Sequence, residues 1–213
     1  MTTKPDAYCI TLDREPHKFE KIKQEFDNIL TLHRVSAIDG KETKIGGRAA
    51  LYKTNVNLFH MLMDSPSPYV IIIEDDIYRY NDFDAQWPKI VEFIRTETDW
   101  DFISLDFFLN LDHTRIFPYN DLFYRIEKSR SCGFVIYRTE FIRKNIEYLS
   151  KCGCLDMTMK HNTTFIQLIS KKLIVKQIVD KRSNTGDVAT GNYFYFYRDT
   201  EAYLIKHAPI EMK

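Results

Sequence analysis

An apolar stretch that runs directly into three carboxylates restricts the possible folds of this chain more than any other segment. Residues 69–80 read YVIIIEDDIYRY, so the run VIII is followed at once by Glu74, Asp75 and Asp76. A short apolar run without polar alternation is typical of a strand buried on both faces of a sheet. Because ligands of open α/β sheets bind beyond the carboxyl ends of the strands, the three acids are predicted to border a ligand site.

Strand and helix patterns alternate along the rest of the chain. Strands are predicted over 7–12, 33–38, 69–73, 101–106, 122–127, 133–137 and 172–179. Helices are predicted from Pro16, from Gly47, around Trp87, from a cap at Thr139, and from Asp156 through Ile169. A polar loop (183–192), an aromatic run and a charged tail are expected after the last strand. This order predicts an α/β fold with a mainly parallel central sheet, and a length of 213 residues fits one domain over 1–213.

The balance of charges and the lack of long apolar runs bear on whether the protein binds nucleic acid or a membrane. Thirty Lys and Arg residues match thirty Asp and Glu residues, and this balance argues against a general nucleic-acid binder. The first residues lack the apolar core of a signal peptide, and no apolar run approaches the ~20 residues of a membrane span. Four cysteines without a framework spacing fit reduced thiols. We therefore expect a soluble, cytoplasmic protein without a membrane span.

The three adjacent acids indicate a divalent cation. Neighbouring carboxylates repel one another, and removing them from water adds to the cost. Mn²⁺ or Mg²⁺ offsets both, since these ions take one or two carboxylates together with substrate phosphates. The alternative is a solvated acidic turn. The sequence contains no G-x-G-x-x-G, no P-loop and no H-E-x-x-H motif, so dinucleotide, P-loop and zinc-protease chemistry are weakly supported.

Several segments in order resemble one enzyme family. CITLDREPHKFEKI, RVSAIDGK, IIIEDD and SCGFVIYRTEFI are similar to motifs of the bacterial lipooligosaccharide and collagen galactosyltransferase group, which belongs to the GT-A glycosyltransferases. These matches run from Ala7 to Ile142, about two-thirds of the chain. The chain also resembles the amino-terminal domains of glycosyltransferases encoded by chlorella viruses. That resemblance implies a viral protein acting in host cytoplasm.

The resemblance implies a GT-A type three-layer α/β/α sandwich and a UDP-sugar donor held through Mn²⁺ or Mg²⁺. It implies transfer of a hexose to a sugar hydroxyl of a glycan acceptor. Asp76 is expected to be the direct metal ligand, with His207 as a further candidate. The residues expected to bind the nucleotide sugar are Thr11, Leu12, Arg14, Ala37, Ile38, Asp39, Arg48, Asn55, Glu74 and Asp75. Plain turn roles for Arg14 and Asp39 remain open.

The acceptor side needs an acid or base, and two residues are candidates. Asp156 is the first choice, although it could equally be a helix N-cap, and Asp106 is the second. Residues 183–187 could form a mobile lid over the diphosphate or a plain surface loop. The motif departs from the family in reading EDD rather than D-x-D, and in replacing the usual Ser-His pair after the second helix by the stretch 57–60.

Two other functions remain open at this point. A nucleotidyltransferase or phosphotransferase could use the same acidic cluster. A non-catalytic carbohydrate-binding module could stack sugar rings on the aromatic run Tyr193–Tyr197, although that run is better explained by buried packing. The sequence leaves the donor sugar open among glucose, galactose and a 6-deoxyhexose such as rhamnose.

Overall fold

An eight-stranded sheet forms the middle layer of the protein. The computed structural model describes residues 4–109, 115–127, 129–130, 133–155, 164–178 and 190–207. The strands are β1 (Asp6–Thr11), β2 (Thr31–Ser36), β3 (Tyr69–Glu74), β4 (Ile77–Arg79), β5 (Phe102–Ser104), β6 (Phe108–Leu109), β7 (Arg115–Pro118), β8 (Phe123–Glu127), β9 (Ser129–Arg130), β10 (Phe134–Arg138), β11 (Gln167–Ser170) and β12 (Val175–Gln177). The helices are α1 (Pro16–Phe26), α2 (Gly47–Leu62), α3 (Phe83–Thr96), α4 (Thr139–Leu149) and α5 (Thr190–His207).

Strand directions bring several carboxyl ends to the same edge of the sheet. The order is β2-β1-β3-β10-β5-β11-β8-β7. β1 pairs in parallel with β2 and β3, and β5 pairs in parallel with β11. β10 is antiparallel to both β3 and β5, so β3 and β5 run in the same direction. The predicted α/β fold with a mainly parallel, mixed central sheet is confirmed.

Alternate residues of β3 explain why its whole length is apolar. Ile71 and Ile73 pack in one buried cluster with α1 and α3, whereas Val70 and Ile72 pack in another with α2 and α4. Successive side chains of a strand point to opposite faces, so a strand covered on both sides needs apolar residues throughout. The result is the three-layer α/β/α arrangement.

Three predictions of secondary structure are corrected. The segment predicted as helix up to Ile169 contains strand β11, in which Leu168 and Ile169 are fully buried between β5 and β8. Helix α5 occupies the region expected to hold an aromatic run and a charged tail. Thr139 does not cap α4: Arg138 is the N-cap residue, and the Thr139 hydroxyl donates to the Ser67 carbonyl at 2.6 Å.

Two small sheets extend the fold on the side of the acidic residues. β4 pairs with β12 in antiparallel fashion, and β6 pairs with β9. Tyr197 and Leu204 of α5 pack against Phe107, Phe108 and Leu109 after β5. Within the described ranges, no helix combines the length and apolar character needed to cross a membrane.

Candidate functional site

The acidic residues lie where the predicted ligand edge of the sheet should be. Glu74 is the last residue of β3, and Asp75 and Asp76 form the turn into β4. Thr11 ends the neighbouring strand β1. Asp106 follows β5, which runs in the same direction as β3. The fold therefore gathers the EDD motif and a fourth carboxylate at one edge.

Asp75 is held by groups from the first strand and the first helix. The Thr11 hydroxyl donates to Asp75 Oδ2 at 2.6 Å, and Lys18 Nζ lies 3.8 Å from Asp75 Oδ1. Burial raises the pKa of Asp75, although the Thr11 hydrogen bond and the Lys18 charge oppose that shift. These contacts orient the Asp75 carboxylate toward the end of β1 and the first turn of α1.

Asp76 has an oxygen that needs a partner. Its Oδ1 is buried, and among the described residues it has no hydrogen-bond partner, although the residue as a whole is only half-buried. Burial, with the negative charges of Asp75 and Asp106 nearby, raises the pKa of Asp76 to about 7. A buried, unsatisfied carboxylate oxygen costs free energy that a bound cation would offset.

Asp106 is the most enclosed of the four acids, at 0% exposure. The Tyr197 hydroxyl donates a hydrogen bond to Asp106 Oδ1, and the Gln177 backbone N–H donates to the Tyr197 oxygen at 2.8 Å. Burial and then the charge of Asp106 raise the pKa of Tyr197, so its hydroxyl stays protonated and remains a donor. A hydroxyl from α5 thus supports a carboxylate that follows β5.

Glu74 is fixed from strand β12 and from the residue before β10. Its Oε2 accepts a hydrogen bond from Gln177 Nε2 at 3.1 Å, and its backbone N–H donates to the Gly133 carbonyl at 2.9 Å. Glu74 therefore faces β12, whereas Asp75 faces Thr11 and Lys18. The three adjacent acids occupy separate environments.

Most of the residues predicted to bind the nucleotide lie at the ends of β1 and β2. Arg14 Nε donates to Asp39 Oδ2 at 2.5 Å, and the Lys41 N–H donates to Asp39 Oδ1 at 2.8 Å. The Arg14 hydrogen bond holds the pKa of the Asp39 carboxyl below its ordinary value. The Ala37 N–H donates to the Thr11 carbonyl at 2.8 Å, which joins the two strand ends.

Three further members of that predicted set lie on or beside α2, and a fourth follows β1. The Ile38 N–H donates to Thr54 Oγ1 at 2.9 Å. Asn55 is 6% exposed, and its Nδ2 donates to the Leu51 carbonyl within the helix at 3.0 Å. Arg48 lies exposed in the first turn of α2. Leu12 is half-buried directly after β1.

Two predicted residues and one predicted segment lie outside the described structure. Asp156 is not among the described residues, nor is the possible lid 183–187. His207 ends α5, but its side chain is not described. Their assigned roles stay predictions.

Four residues of the site were missed by the sequence reasoning. Lys18 follows TLDREPH and could have been singled out as the basic residue of the first turn of α1. Gly133 is next to Asp106: a Cβ there would overlap Asp106 Oδ2 and come within 3.0 Å of Ile77 Cγ2. Tyr197 and Gln177 carry no local signal, since they lie 91 and 103 residues from Asp106 and Glu74.

The acidic side chains would bind a metal ion only together with oxygen ligands from a substrate or from water. Within the part of the chain that the structure describes, no group of three or more His, Cys, Asp or Glu side chains is placed to hold a metal ion. Mg²⁺ and Mn²⁺ in phosphate-handling sites commonly use one or two carboxylates, and substrate phosphates and water complete the coordination. The orphaned Asp76 Oδ1 suits that kind of incomplete protein site.

A shallow groove of about 360 Å³ lies elsewhere. It is lined by Asp99, Phe117, Pro118, Tyr119, Arg125, Glu127 and Ile166. Asp99 and Ile166 precede β5 and β11, so this groove lies toward the amino-terminal ends of those strands. The EDD motif and Asp106 lie at the opposite edge of the sheet.

Comparisons with known proteins give remote likenesses. No protein-family model matches the chain, and no curated protein matches it. A197 from STIV is similar over 84% of this chain and 88% of its own, with a TM-score of 0.46 and 10% identity. Mannose-1-phosphate geranyltransferase from Thermus thermophilus is similar over 76% of this chain and 58% of its own, with a TM-score of 0.38 and 9% identity.

A third solved structure, S. aureus TarS 1-349, is similar over 98% of this chain and 67% of its own, with a TM-score of 0.41 and 13% identity. Likenesses of this degree support no statement about activity. The functional interpretation therefore depends on the acidic edge of the sheet and on the residues that surround it.

Proposed function

We propose that this protein is a metal-dependent glycosyltransferase of the GT-A type that moves a hexose from a UDP-sugar to a sugar hydroxyl of a glycan. The observation that carries this proposal is Asp76 Oδ1, which is buried and lacks a hydrogen-bond partner among the described residues. It sits in a turn at the carboxyl end of β3, in the field of Asp75 and Asp106.

Mn²⁺ or Mg²⁺ fits this site chemically. Asp76 would be the direct protein ligand, and Asp75, held by Thr11, would act through water or on a sugar or ribose hydroxyl. When bound, such an ion neutralises the negative charge that develops on the departing diphosphate. The protein would supply the fixed carboxylates, and the donor would supply the remaining oxygens.

The same edge offers groups for the nucleotide diphosphate. Lys18 lies in the first turn of α1, so its charge and the amino-terminal end of the helix dipole act in the same region. Arg14 and Asp39, already paired, would contact the nucleotide at the ends of β1 and β2. An arginine at this position can pair with phosphate or stack on a base.

The burial of Asp106 bears on which residue could act as the base for the acceptor hydroxyl. A general base must reach the acceptor hydroxyl within hydrogen-bond distance. Asp106 is fully buried and accepts from Tyr197, which favours a supporting role beside Asp76 over direct proton transfer. Asp156 remains our proposed acceptor-side acid, and the cytoplasm remains the proposed place of action.

A donor-turnover assay tests the proposal. The protein is incubated with Mn²⁺ and, separately, UDP-glucose, UDP-galactose and a UDP-linked 6-deoxyhexose, and UDP release is measured. We expect release from one donor, and loss of that release in Asp76→Ala. Asp64→Ala is the control, since the Asp64 side chain is exposed and lies 4.0 Å from Arg143.

Other outcomes would replace the proposal. Turnover of a nucleoside triphosphate without hydrolysis of any UDP-sugar would indicate a nucleotidyltransferase or phosphotransferase. Metal-independent binding of free glycan without turnover would indicate a carbohydrate-binding module. Full activity in Asp76→Ala would rule out the metal assignment.

A further inference from the structure

We propose that Tyr197 is a positioning residue of the acidic site, which holds the Asp106 carboxylate in place beside Asp76 so that helix α5 completes the site. This inference rests on the proposed function, because it concerns how the same cation site is built. It assigns a role to a residue that touches neither the nucleotide edge nor the EDD motif directly.

The contact itself is buried at both ends. Tyr197 is 4% exposed and Asp106 is 0% exposed, and the tyrosine hydroxyl donates to Asp106 Oδ1. A charged group in such a setting needs hydrogen bonds that replace water. A hydroxyl from a distant helix therefore supplies one of the buried hydrogen bonds that orient this carboxylate.

Strand β12 fixes the tyrosine and touches the acidic motif as well. The Gln177 N–H donates to the Tyr197 oxygen at 2.8 Å, and the Gln177 side chain donates to Glu74 Oε2 at 3.1 Å. The Ile178 N–H, directly after the strand, donates to the Asp76 carbonyl at 2.5 Å. The tyrosine is thus tied to the same segment that holds the backbone of the proposed metal ligand.

On its other side, the Asp106 carboxylate lies against Gly133, which has no side chain. Any Cβ at position 133 would overlap Asp106 Oδ2. The Asp106 carboxylate is therefore confined between the Tyr197 hydroxyl at Oδ1 and the backbone of Gly133 at Oδ2. Removal of the hydroxyl takes away a buried donor to Oδ1, so we expect the carboxylate to be held less firmly in its position beside Asp76.

Tyr197→Phe tests the inference, because it removes the hydroxyl and keeps the ring. Affinity for Mn²⁺ is measured by titration in the presence of UDP. We expect it to weaken roughly 10-fold or more, since loss of the partners that orient metal-site carboxylates typically costs 10–100-fold. Equal Mn²⁺ affinity in Tyr197→Phe and the wild type would overturn the inference.

Tyr80→Phe is the matched control. The Tyr80 hydroxyl also contacts α5, at 3.2 Å from Glu201 Oε1, but its partner is not one of the acids of the site. Both variants lose a tyrosine hydroxyl at the α5 interface. If the effect on Mn²⁺ came only from looser packing of α5, Tyr80→Phe would weaken Mn²⁺ binding as much as Tyr197→Phe does, and the inference would fail.

A double-mutant cycle separates positioning from general destabilisation. In Asp106→Asn the charge that Tyr197 positions is gone, so adding Tyr197→Phe should change Mn²⁺ affinity little further. Additive losses would show that Tyr197 does not act through Asp106. Asp106→Asn alone keeps the inference testable if Tyr197→Phe does not fold, because wild-type affinity in Asp106→Asn would contradict it.

The two proposals fail in different ways. Absence of Mn²⁺-dependent UDP binding by the wild-type protein would refute the proposed function itself. Normal wild-type binding that is unaffected by Tyr197→Phe would refute only the role of Tyr197.

Discussion

Thr11 and Asp75 are joined by a hydrogen bond of 2.6 Å that ties the end of β1 to the acidic turn after β3. The two residues are 64 positions apart, and both lie at the carboxyl edge of the sheet. Thr11 is 1% exposed, so its hydroxyl replaces water as a donor to a partly buried carboxylate. This contact links a residue predicted to bind the nucleotide to the EDD motif.

Removing the Thr11 hydroxyl should destabilise the fold. Thr11→Val keeps the shape and leaves Asp75 Oδ2 without this donor, so we expect a loss of about 1–3 kcal/mol in the free energy of unfolding. Urea denaturation at about neutral pH measures it. Thr11→Ser is the control, because it keeps the hydroxyl. Equal stability of the Val and Ser variants would show that the hydrogen bond contributes nothing.

Gly133→Ala should disturb the site by contact rather than by backbone strain. Its Cβ would push against Asp106 Oδ2 and Ile77, and we expect about 1–3 kcal/mol of destabilisation together with weaker Mn²⁺ binding. Gly153→Ala is the comparison. Gly153 has φ +77° and open space around it, so alanine there should cost about 1 kcal/mol of stability without changing Mn²⁺ affinity. Unchanged Mn²⁺ binding in Gly133→Ala would argue against a role for this close approach.

The stability of the metal-free protein should fall as pH rises through the titration of Asp76. Its pKa is raised from 3.8 to about 7, so between these values the folded protein holds more protons than the unfolded chain. Stability then decreases with rising pH across that window. The expected effect is on the order of 4 kcal/mol. It is measured by urea denaturation at a series of pH values in the presence of a chelator.

Asp76→Asn isolates this contribution from the other carboxylates. Asp75 and Asp101 also have raised pKa values and act in the same direction, so the relevant quantity is the wild-type curve minus the variant curve. The variant should gain relative stability between about pH 4 and pH 7, where its amide does not ionise. A difference that stays constant over this range would show that Asp76 titrates normally.

The Arg14–Asp39 ion pair should matter for the nucleotide more than for the fold. Both side chains reach solvent, and exposed pairs contribute little to stability. Arg14→Ala should weaken UDP binding roughly tenfold, as expected for one charge-assisted hydrogen bond, with little change in Tm. Arg34→Ala removes a comparable pair with Asp13 at 2.5 Å and should leave UDP affinity unchanged. Equal losses in both variants would point to a general charge effect.

Local patterns were sufficient to predict the centre of the fold. The run VIII belongs to a strand covered on both faces, and this single fact locates the EDD motif at the edge of the sheet. The same reasoning failed at Leu168 and Ile169, because a short apolar segment reads alike as a buried strand or a buried helix. The aromatic residues before Tyr197 gave no helical periodicity, so α5 was not predicted.

The residues that hold the acidic side chains in place could not be predicted, because they are far from those side chains in the sequence. Tyr197 reaches Asp106 across 91 residues, and Gln177 reaches Glu74 across 103. The Gln177 contact follows from the pairing of β12 with β4, and the Tyr197 contact follows from the packing of α5 against the residues after β5. The EDD motif could be read from the sequence, whereas the partners that separate the environments of its members could not.

Calorimetric titration of UDP into the wild-type protein and Asp76→Asn, each with and without Mn²⁺, tests the central claim most directly. We expect the wild-type protein to bind UDP at least tenfold more tightly with Mn²⁺, a difference of about 1.4 kcal/mol or more, and the variant to lose that enhancement. UDP binding that is indifferent to Mn²⁺ in the wild type, or an enhancement retained in Asp76→Asn, would contradict a metal site at Asp76.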